Sequence, residues 1–187
     1  MALSRSISPG SFAAALAALV GCGGATASPG EPTSITGTLG GQPFVPADSI
    51  GQTYVTTTMS GQSIASAGVV LGTIPGLCAV AERHGSPPSV RTLAFQVTQD
   101  AMAIAPGTYG IGQGLSASYE ANDATCAVVG LEQATGGTVT FTTSTATLLE
   151  GTFDLTFEGG DHLSGPFSAP VCADLLFQVA WQGTCGS

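Results

Sequence analysis

The sequence predicts an all-β protein: an antiparallel β-sandwich or barrel-like domain of many short strands, with at most one short helix. Three observations support this prediction. Apolar and polar residues alternate with a period of two in many segments after residue 34. Glycine-rich turns separate these segments, and the period of an amphipathic helix is almost absent. Many short strands at regular spacing are typical of sandwiches and barrels.

The alternation is clearest in the C-terminal half of the chain. Val139 and Phe141 alternate with threonines, and Phe153, Leu155 and Phe157 alternate with polar residues in the next segment. This pattern places apolar side chains on one face of a strand and polar side chains on the other, so both segments are predicted to be half-buried strands. The other predicted strands cover residues 35–39, 53–57, 67–71, 92–98, 108–111, 116–120, 127–131 and 175–181.

Turn residues and prolines limit the predicted elements. Residues 158–161 (EGGD) precede a further alternation at Leu163 and Phe167, and their glycines suit the positive φ angles of a tight hairpin turn. The one predicted helix covers residues 77–83 (LCAVAER), because the prolines at 87 and 88 block its extension. The sequence therefore predicts a hairpin turn at residues 158–161 and a short helix at residues 77–83.

The first residues of the chain are typical of an export signal. Arg5 precedes the apolar run 12–20 (FAAALAALV), which is too short to cross a bilayer as a helix. We therefore expect residues 1–21 to be a signal peptide that is removed. Residues 22–33 are small, polar and rich in Gly and Pro, which indicates a flexible tether, and residues 34–187 are predicted to form a single disulfide-bonded β domain.

The residues Leu19-Val20-Gly21-Cys22 resemble the lipobox of bacterial lipid-anchored lipoproteins. This resemblance implies that Cys22 receives the lipid and becomes the first residue of the mature chain. More than one acyl chain on Cys22 would hold the protein stably on a membrane. Gly23 after the cysteine implies sorting to the outer membrane, so the expected location is the cell envelope, with the lipid on Cys22 as the membrane contact.

Several segments of the predicted domain also resemble segments of uncharacterised lipoproteins of myxobacteria. They are 37–46 (GTLGGQPFVP), 75–78 (PGLC), 106–109 (PGTY), 137–140 (GTVT), 151–157 (GTFDLTF) and 169–172 (APVC). The resemblance covers most of residues 34–172. It implies a lipid-anchored β domain, and because that family has no assigned activity it implies no catalytic residues.

The charge of the chain excludes some classes of partner. Three basic residues stand against twelve acidic ones, which gives a net charge of −9. A chain with so few cations cannot neutralise phosphates, so we expect no nucleic-acid partner. The expected partners are the membrane, through Cys22, and an envelope protein or polysaccharide.

Four cysteines remain beside Cys22, and an even number in an exported protein predicts two disulfides. They are Cys78, Cys126, Cys172 and Cys185. No C-x-x-C spacing supports a zinc site. An extended strand between Cys172 and Cys185 would hold them too far apart for a bridge. We favour Cys78 with Cys172 and Cys126 with Cys185, and leave open the pairs Cys78 with Cys185 and Cys126 with Cys172.

Asp161 and His162 form the only adjacent pair of an acid and a histidine, and Ser164 is the serine that a hydrolase would need as its nucleophile. Adjacent strand residues point to opposite faces, and the chain has no G-x-S-x-G motif. We therefore interpret His162 as a solvent-exposed hairpin residue. His84, at the end of the predicted helix, is interpreted as structural.

Two further groups of residues have both a structural and a functional interpretation. The acids Glu150, Asp154, Glu158 and Asp161 could hold Ca²⁺ if the hairpin brought them together, but no EF-hand spacing supports this, and a solvated acidic face is favoured. The threonine-rich residues 138–145 (TVTFTTST) predict a water-exposed sheet face, with ice or sugar binding as the alternative.

Aromatic residues are too few and too scattered to indicate a binding groove for a carbohydrate or peptide. They include Trp181, Tyr54, Tyr109 and Tyr119, and aromatics make up 6% of the chain. We interpret them as core or rim packing.

The predicted function is therefore a cell-envelope lipoprotein with a non-enzymatic structural or interaction β domain. The sequence shows no catalytic constellation, and we assign no catalytic, cofactor-binding or metal-binding residue. Two alternatives stay open. One is a secreted hydrolase acting on envelope or extracellular polymers, and the other is a β domain that binds a small ligand or a metal.

Overall fold

The fold is described from a computed structural model, in which residues 34–83 and 87–172 are defined. Its elements in chain order are β1 (Thr36–Leu39), β2 (Gln42–Pro43), β3 (Asp48–Thr57), β4 (Ser63–Gly72), α1 (Leu77–Glu82), β5 (Arg91–Gln99), β6 (Gly107–Gly110), β7 (Leu115–Asn122), β8 (Val128–Ser144), β9 (Leu148–Phe157) and β10 (His162–Pro170). The predicted all-β class is confirmed. Within the described residues the single helix is α1, where the sequence predicted it.

The strands form one antiparallel sheet that folds over on itself. Their order is β2-β1-β10-β9-β8-β7-β5-β4-β3, and β6 pairs with β8 off this path. One half of the sheet contains β1, β10, β9, β6 and the C-terminal part of β8. The other half contains β3, β4, β5, β7 and the N-terminal part of β8. The sheet is not closed into a barrel, so of the two predicted forms the sandwich-like one is observed.

Strand β8 joins the two halves. Its residues up to Gln133 pair with β7, and its residues from Ala134 pair with β9. The register with β9 shifts between Ala134 and Gly136, and Gly137 has a φ of 110°. A β-bulge bends a strand and increases its twist, which lets one long strand belong to both halves. The sequence analysis predicted separate strands at 127–131 and around Val139; this was wrong, because the bulge bends the strand without ending it.

The main core lies between the two halves of the sheet. The ring of Phe95 on β5 lies 5.1 Å from that of Phe167 on β10 and 5.9 Å from that of Phe153 on β9, measured between centroids. Phe141 on β8 completes the group, 5.5 Å from Phe167. Tilted and edge-to-face rings attract one another beyond the effect of their burial. These residues occupy the apolar positions of the alternating segments, so the periodicity predicted the core correctly.

One end of the sandwich is closed by the β1–β2 hairpin. The guanidinium of Arg91 donates a hydrogen bond to the carbonyl of Pro43 over 2.9 Å. The carboxylate of Asp161, in the β9–β10 turn, accepts hydrogen bonds from the Thr38 hydroxyl over 2.5 Å and from the Gly41 N–H over 3.0 Å. These contacts from strand β5 and from the β9–β10 turn hold the hairpin across that end.

A smaller hydrophobic cluster covers part of the outer side of the β3–β4 pair. Leu77 and Ala81 of α1 pack there against Ile50 and Val70. The helix begins after Gly76, whose φ of 76° is an angle that glycine adopts without steric cost. α1 therefore gives this half of the sheet a second layer.

A disulfide fastens the chain after β10 to this helix. It joins Cys78 to Cys172, with 5.9 Å between their Cα atoms, and is the first of the two pairs favoured from the sequence. The N–H of Cys172 also donates a hydrogen bond to the carbonyl of Gly51 over 3.0 Å. Cys126 is disulfide-bonded as well. Cys185 lies outside the described residues, so the pairing of Cys126 with Cys185 stays a prediction.

The other predicted strands up to β10 are confirmed, with shifted ends. The short strand β2 was not predicted, because two residues are too few to show a period. The predicted strand at 175–181, His84, and the predicted signal peptide and tether at 1–33 lie outside the described residues.

Candidate functional site: a hydroxyl-rich sheet face

One outer face of the sheet is covered with hydroxyl side chains. On β9, β10 and the C-terminal part of β8, buried apolar residues occupy inward positions, so the alternation of the strands turns their polar neighbours outward. We name this surface the hydroxyl face. It consists of Thr36, Thr108, Thr138, Thr140, Thr143, Thr152, Thr156, Ser164 and Ser168, together with Glu150, Asp154, His162 and Pro166 on the same side.

The register of the strands aligns these residues in rows that run across the sheet. One row contains Thr108, Thr140, Thr152 and Pro166. The next row contains Thr138, Asp154, Ser164 and Thr36. Neighbouring strands lie about 4.8 Å apart, so each row presents its side chains at about that interval.

Some of the hydroxyl groups contact each other across strands. The hydroxyl oxygens of Thr108 and Thr140 are 2.8 Å apart, and those of Thr36 and Ser164 are 3.1 Å apart. A hydroxyl has one donor and two acceptor positions. Each group in such a pair therefore retains hydrogen-bonding capacity for water or a ligand.

The acidic residues of the face are also hydrogen-bonded. The Glu150 carboxylate accepts hydrogen bonds from the Thr143 hydroxyl over 2.9 Å and from the Ser168 hydroxyl over 3.1 Å. The Asp154 carboxylate lies 3.0 Å from Nε2 of His162, and these two side chains are 63% and 51% exposed. A pair this exposed contributes little to stability. Both of its members are accessible from solvent.

In the described structure, Asp161, His162 and Ser164, which were considered from the sequence for a hydrolase, have separate hydrogen-bond partners. His162 contacts Asp154 instead of Asp161, and the hydroxyl of Ser164 contacts Thr36. Asp161 binds the β1–β2 hairpin at the end of the sandwich. The described contacts therefore hold His162 in a solvent-exposed hairpin position, as the sequence analysis interpreted it.

The four acids considered for Ca²⁺ do not converge either. Glu150, Asp154 and Asp161 each have a different partner, and Glu158 is exposed in the turn after β9. Over residues 34–83 and 87–172, no three or more His, Cys, Asp and Glu side chains are grouped as metal ligands.

Two of the three tyrosines are core residues. Tyr109 and Tyr119 are 8% and 4% exposed, and burial raises the pKa of each phenol. The Tyr109 hydroxyl donates to the carbonyl of Ala105 over 2.6 Å, which satisfies it inside the fold. The hydroxyl of Tyr54 accepts a hydrogen bond from the side-chain amide of Gln96 over 2.9 Å. Trp181 lies outside the described residues.

A second candidate site lies at the end of the sandwich opposite the β1–β2 hairpin. A solvent-open cavity of about 370 Å³ is bordered there by β3, β4 and the loops before β6 and after β8. Residues that border it include Val55, Ala65, Met102, Ile104 and Thr145. All of its lining residues are uncharged at neutral pH and none is a histidine; the one with an ionisable side chain is Tyr54.

Polar side chains also connect the strands and turns near the β1–β2 hairpin. Burial raises the pKa of Tyr119, while the charge and hydrogen bond of the neighbouring Arg91 act in the opposite direction. The carboxylate of Glu132 accepts a hydrogen bond from the N–H of Gly159 over 3.2 Å. These side chains bind neighbouring turns and strands to one another, which fixes the closed end.

Sequence reasoning identified only part of the hydroxyl face. The threonines of residues 138–145 were recognised from their own alternation, whereas Thr36, Thr108 and Thr152 were not connected with them. Each of these is a polar position in a predicted strand. The missing information is the order of the strands, which places three distant segments side by side.

Comparisons with known proteins find no match: no family model fits the chain, and neither the curated proteins nor the solved structures contain a significantly similar one. Within the part of the chain that the structure describes, no helix is both long and apolar enough to cross a membrane.

Proposed function

We propose that this chain is a cell-envelope lipoprotein whose β domain is a non-enzymatic interaction module. The lipobox-like sequence Leu19-Val20-Gly21-Cys22 supports export and attachment of lipid to Cys22. The small, polar residues 23–33 that follow suit a tether between the lipid and the domain. The observation that carries the interaction role is the hydroxyl face.

The arrangement of this face supports binding in preference to a purely structural sheet surface. Threonine favours strands and tolerates water, so single exposed threonines need no functional explanation. Here hydroxyl residues from β1, β6, β8, β9 and β10 are aligned in rows, with Asp154 and His162 among them. Aligned donors and acceptors on a rigid sheet can contact a partner at many points without rearranging.

Cosedimentation with isolated cell envelopes tests this role. The full chain carrying Cys22→Ser lacks the lipid, so it should pellet with envelopes only by binding through its domain. The test variant adds Thr138→Val, Thr140→Val and Thr152→Val, which remove three hydroxyls from the face while keeping side-chain shape and strand preference. The matched control adds Thr56→Val and Thr57→Val, at exposed positions of β3 away from the face.

We expect the parent and the β3 control to pellet with the envelopes and the face variant to remain in the supernatant. Circular dichroism and the melting temperature should be the same for all three chains, because no buried side chain changes. A parent chain that does not pellet, or a face variant that pellets as well as the parent, would contradict the interaction role of this face.

A further inference from the structure

We propose that the hydroxyl face binds an extended, uncharged polysaccharide that lies along the rows of hydroxyl groups. This proposal rests on the proposed function and names the class of partner for the same face. Four properties of the surface support it: its charge, its lack of large apolar side chains, its hydrogen-bonding groups and their spacing.

The charge of the face disfavours anionic partners. The described part of the chain has two arginines, and both are elsewhere: Arg83 follows α1, and Arg91 contacts Pro43 at the closed end. The face itself carries the carboxylates of Glu150 and Asp154. Carboxylated or sulfated polymers, nucleic acids and anionic lipid headgroups would be repelled by this surface and by the net charge of −9.

The large apolar residues that are exposed in the described part of the domain lie away from the face. They are Val45, Val55, Met59, Met102, Val128, Val129 and Leu131. Protein interfaces usually depend on buried aromatic, apolar or Arg anchors, and insertion into lipid requires apolar side chains. Pro166 is the one apolar residue of the hydroxyl face, which includes no Phe, Tyr, Trp or Arg. A partner rich in hydroxyl groups fits the surface better than a protein or a bilayer.

The chemistry of the face matches that of sugar hydroxyls. Threonine and serine hydroxyls can each donate and accept, so they can pair with sugar hydroxyls in either direction. The exposed carboxylate of Asp154, between Thr138 and Ser164 in its row, can accept hydrogen bonds from sugar hydroxyls. Hydrogen bonds to a charged acceptor are stronger than those between neutral groups.

The spacing of the rows suits a repeating polymer. Side chains from adjacent strands recur about every 4.8 Å along a row. This interval is close to the advance of one sugar ring along an extended glucan, so successive sugars can meet successive strands. Each contact is weak by itself, and a polymer gains affinity because several sugars are bound at once. We therefore expect polymers to bind far more tightly than single sugars.

Binding to insoluble cellulose and immobilised xyloglucan, two uncharged glucans with extended backbones, tests the proposal, with carboxylated alginate beads as the charged comparison. The proteins are the full chain with Cys22→Ser, the same chain with the three Thr→Val changes, and one with Thr138→Ser, Thr140→Ser and Thr152→Ser. The serine variant keeps the hydroxyls and should retain binding, which separates loss of hydroxyls from a change of shape. The Thr56→Val, Thr57→Val chain is the control.

We expect the parent, the serine variant and the control to bind at least one of the two uncharged glucans and not alginate. The face variant should bind at least tenfold more weakly, with an unchanged melting temperature. Failure to bind either glucan, preference for alginate, or equal binding by the face variant would overturn the proposal. If the parent pellets with envelopes through the face but binds neither glucan, only the polysaccharide proposal fails. If it binds neither envelopes nor glucans, both proposals fail.

Discussion

The hydroxyl oxygens of Thr108 and Thr140 lie 2.8 Å apart, although the two residues are separated by 32 positions in the chain. Thr108 belongs to the short strand β6, which pairs with the C-terminal part of β8. Its contact with Thr140 extends a row of hydroxyls by one strand beyond β8. The width of the hydroxyl face therefore depends on the pairing of a four-residue strand whose one buried side chain is Tyr109.

The bend in β8 determines which residues reach this face. The N-terminal part of the strand pairs with β7, and the C-terminal part lies between β6 and β9. The change takes place around Gly136 and Gly137. Any disturbance at this point affects both the stability of the sandwich and the alignment of Thr138 and Thr140.

We predict that Gly137→Ala destabilises the domain by at least about 2 kcal/mol. Gly137 has a φ of 110°, and an added Cβ would collide with the backbone carbonyl of Asp154 on β9. Gly136→Ala is a matched control, because an added Cβ at that neighbouring residue meets nothing within 4 Å. Urea denaturation followed by circular dichroism measures both variants. Equal midpoints for the two would contradict this account of the bend.

Loss of the Cys78–Cys172 disulfide should lower the free energy of unfolding by about 4–5 kcal/mol. The bond joins residues 94 positions apart, so it greatly restricts the unfolded chain. Replacing both cysteines with alanine avoids leaving a free thiol. Urea denaturation of this double variant under oxidising conditions gives the difference directly. A midpoint equal to that of the parent would show that the bond does not contribute through the unfolded chain.

The strands could be predicted because each has one clearly buried side. In β9, Phe153 and Leu155 are buried while Thr152 and Asp154 are exposed, so its sequence shows the two-residue period without ambiguity. Helix α1 was predicted for a different reason, because the prolines at 87 and 88 follow a short apolar run. The N-terminal part of β8 shows the opposite case. Leu131 is 60% exposed, so apolar character there gave no hint of a longer strand.

The site was harder to predict because pairing between distant strands is absent from local patterns. The sequence indicated Asp161 as the acid beside His162. The register instead places Asp154 on β9 opposite Ser164 of β10, and its carboxylate lies 3.0 Å from the His162 imidazole. Adjacent residues in a strand point to opposite faces, which is why the sequence neighbour is not the spatial one. The rows of the hydroxyl face arise in the same way, from register rather than from any motif.

Lipid attachment predicts a defined mass and a defined location. Protein extracted from membranes with detergent should begin at Cys22 and carry the added mass of acyl chains, as measured by intact-mass spectrometry. The Cys22→Ser chain should appear in the soluble fraction without that mass. Cys78→Ala with Cys172→Ala is the control for loss of cysteines as such, and it should stay in the membrane fraction. A soluble wild-type chain that begins at another residue would contradict the anchor.

Acid should weaken the closed end of the sandwich through Asp161. The hydrogen bond from the Thr38 hydroxyl, and then that from the Gly41 N–H, hold the pKa of this carboxyl below its ordinary value of 3.8. A carboxyl whose pKa is lower in the folded than in the unfolded chain stabilises the fold above the unfolded value, and this stabilisation is lost as the pH falls through the folded pKa. We therefore compare melting temperatures from pH 4 to pH 2, around and below the ordinary value of 3.8. Over this interval the melting temperature of the parent should fall more steeply than that of Asp161→Asn. Glu158→Gln, at an exposed turn position, should follow the parent. If Asp161→Asn shows the same pH dependence as the parent, these hydrogen bonds do not couple the carboxylate to folding.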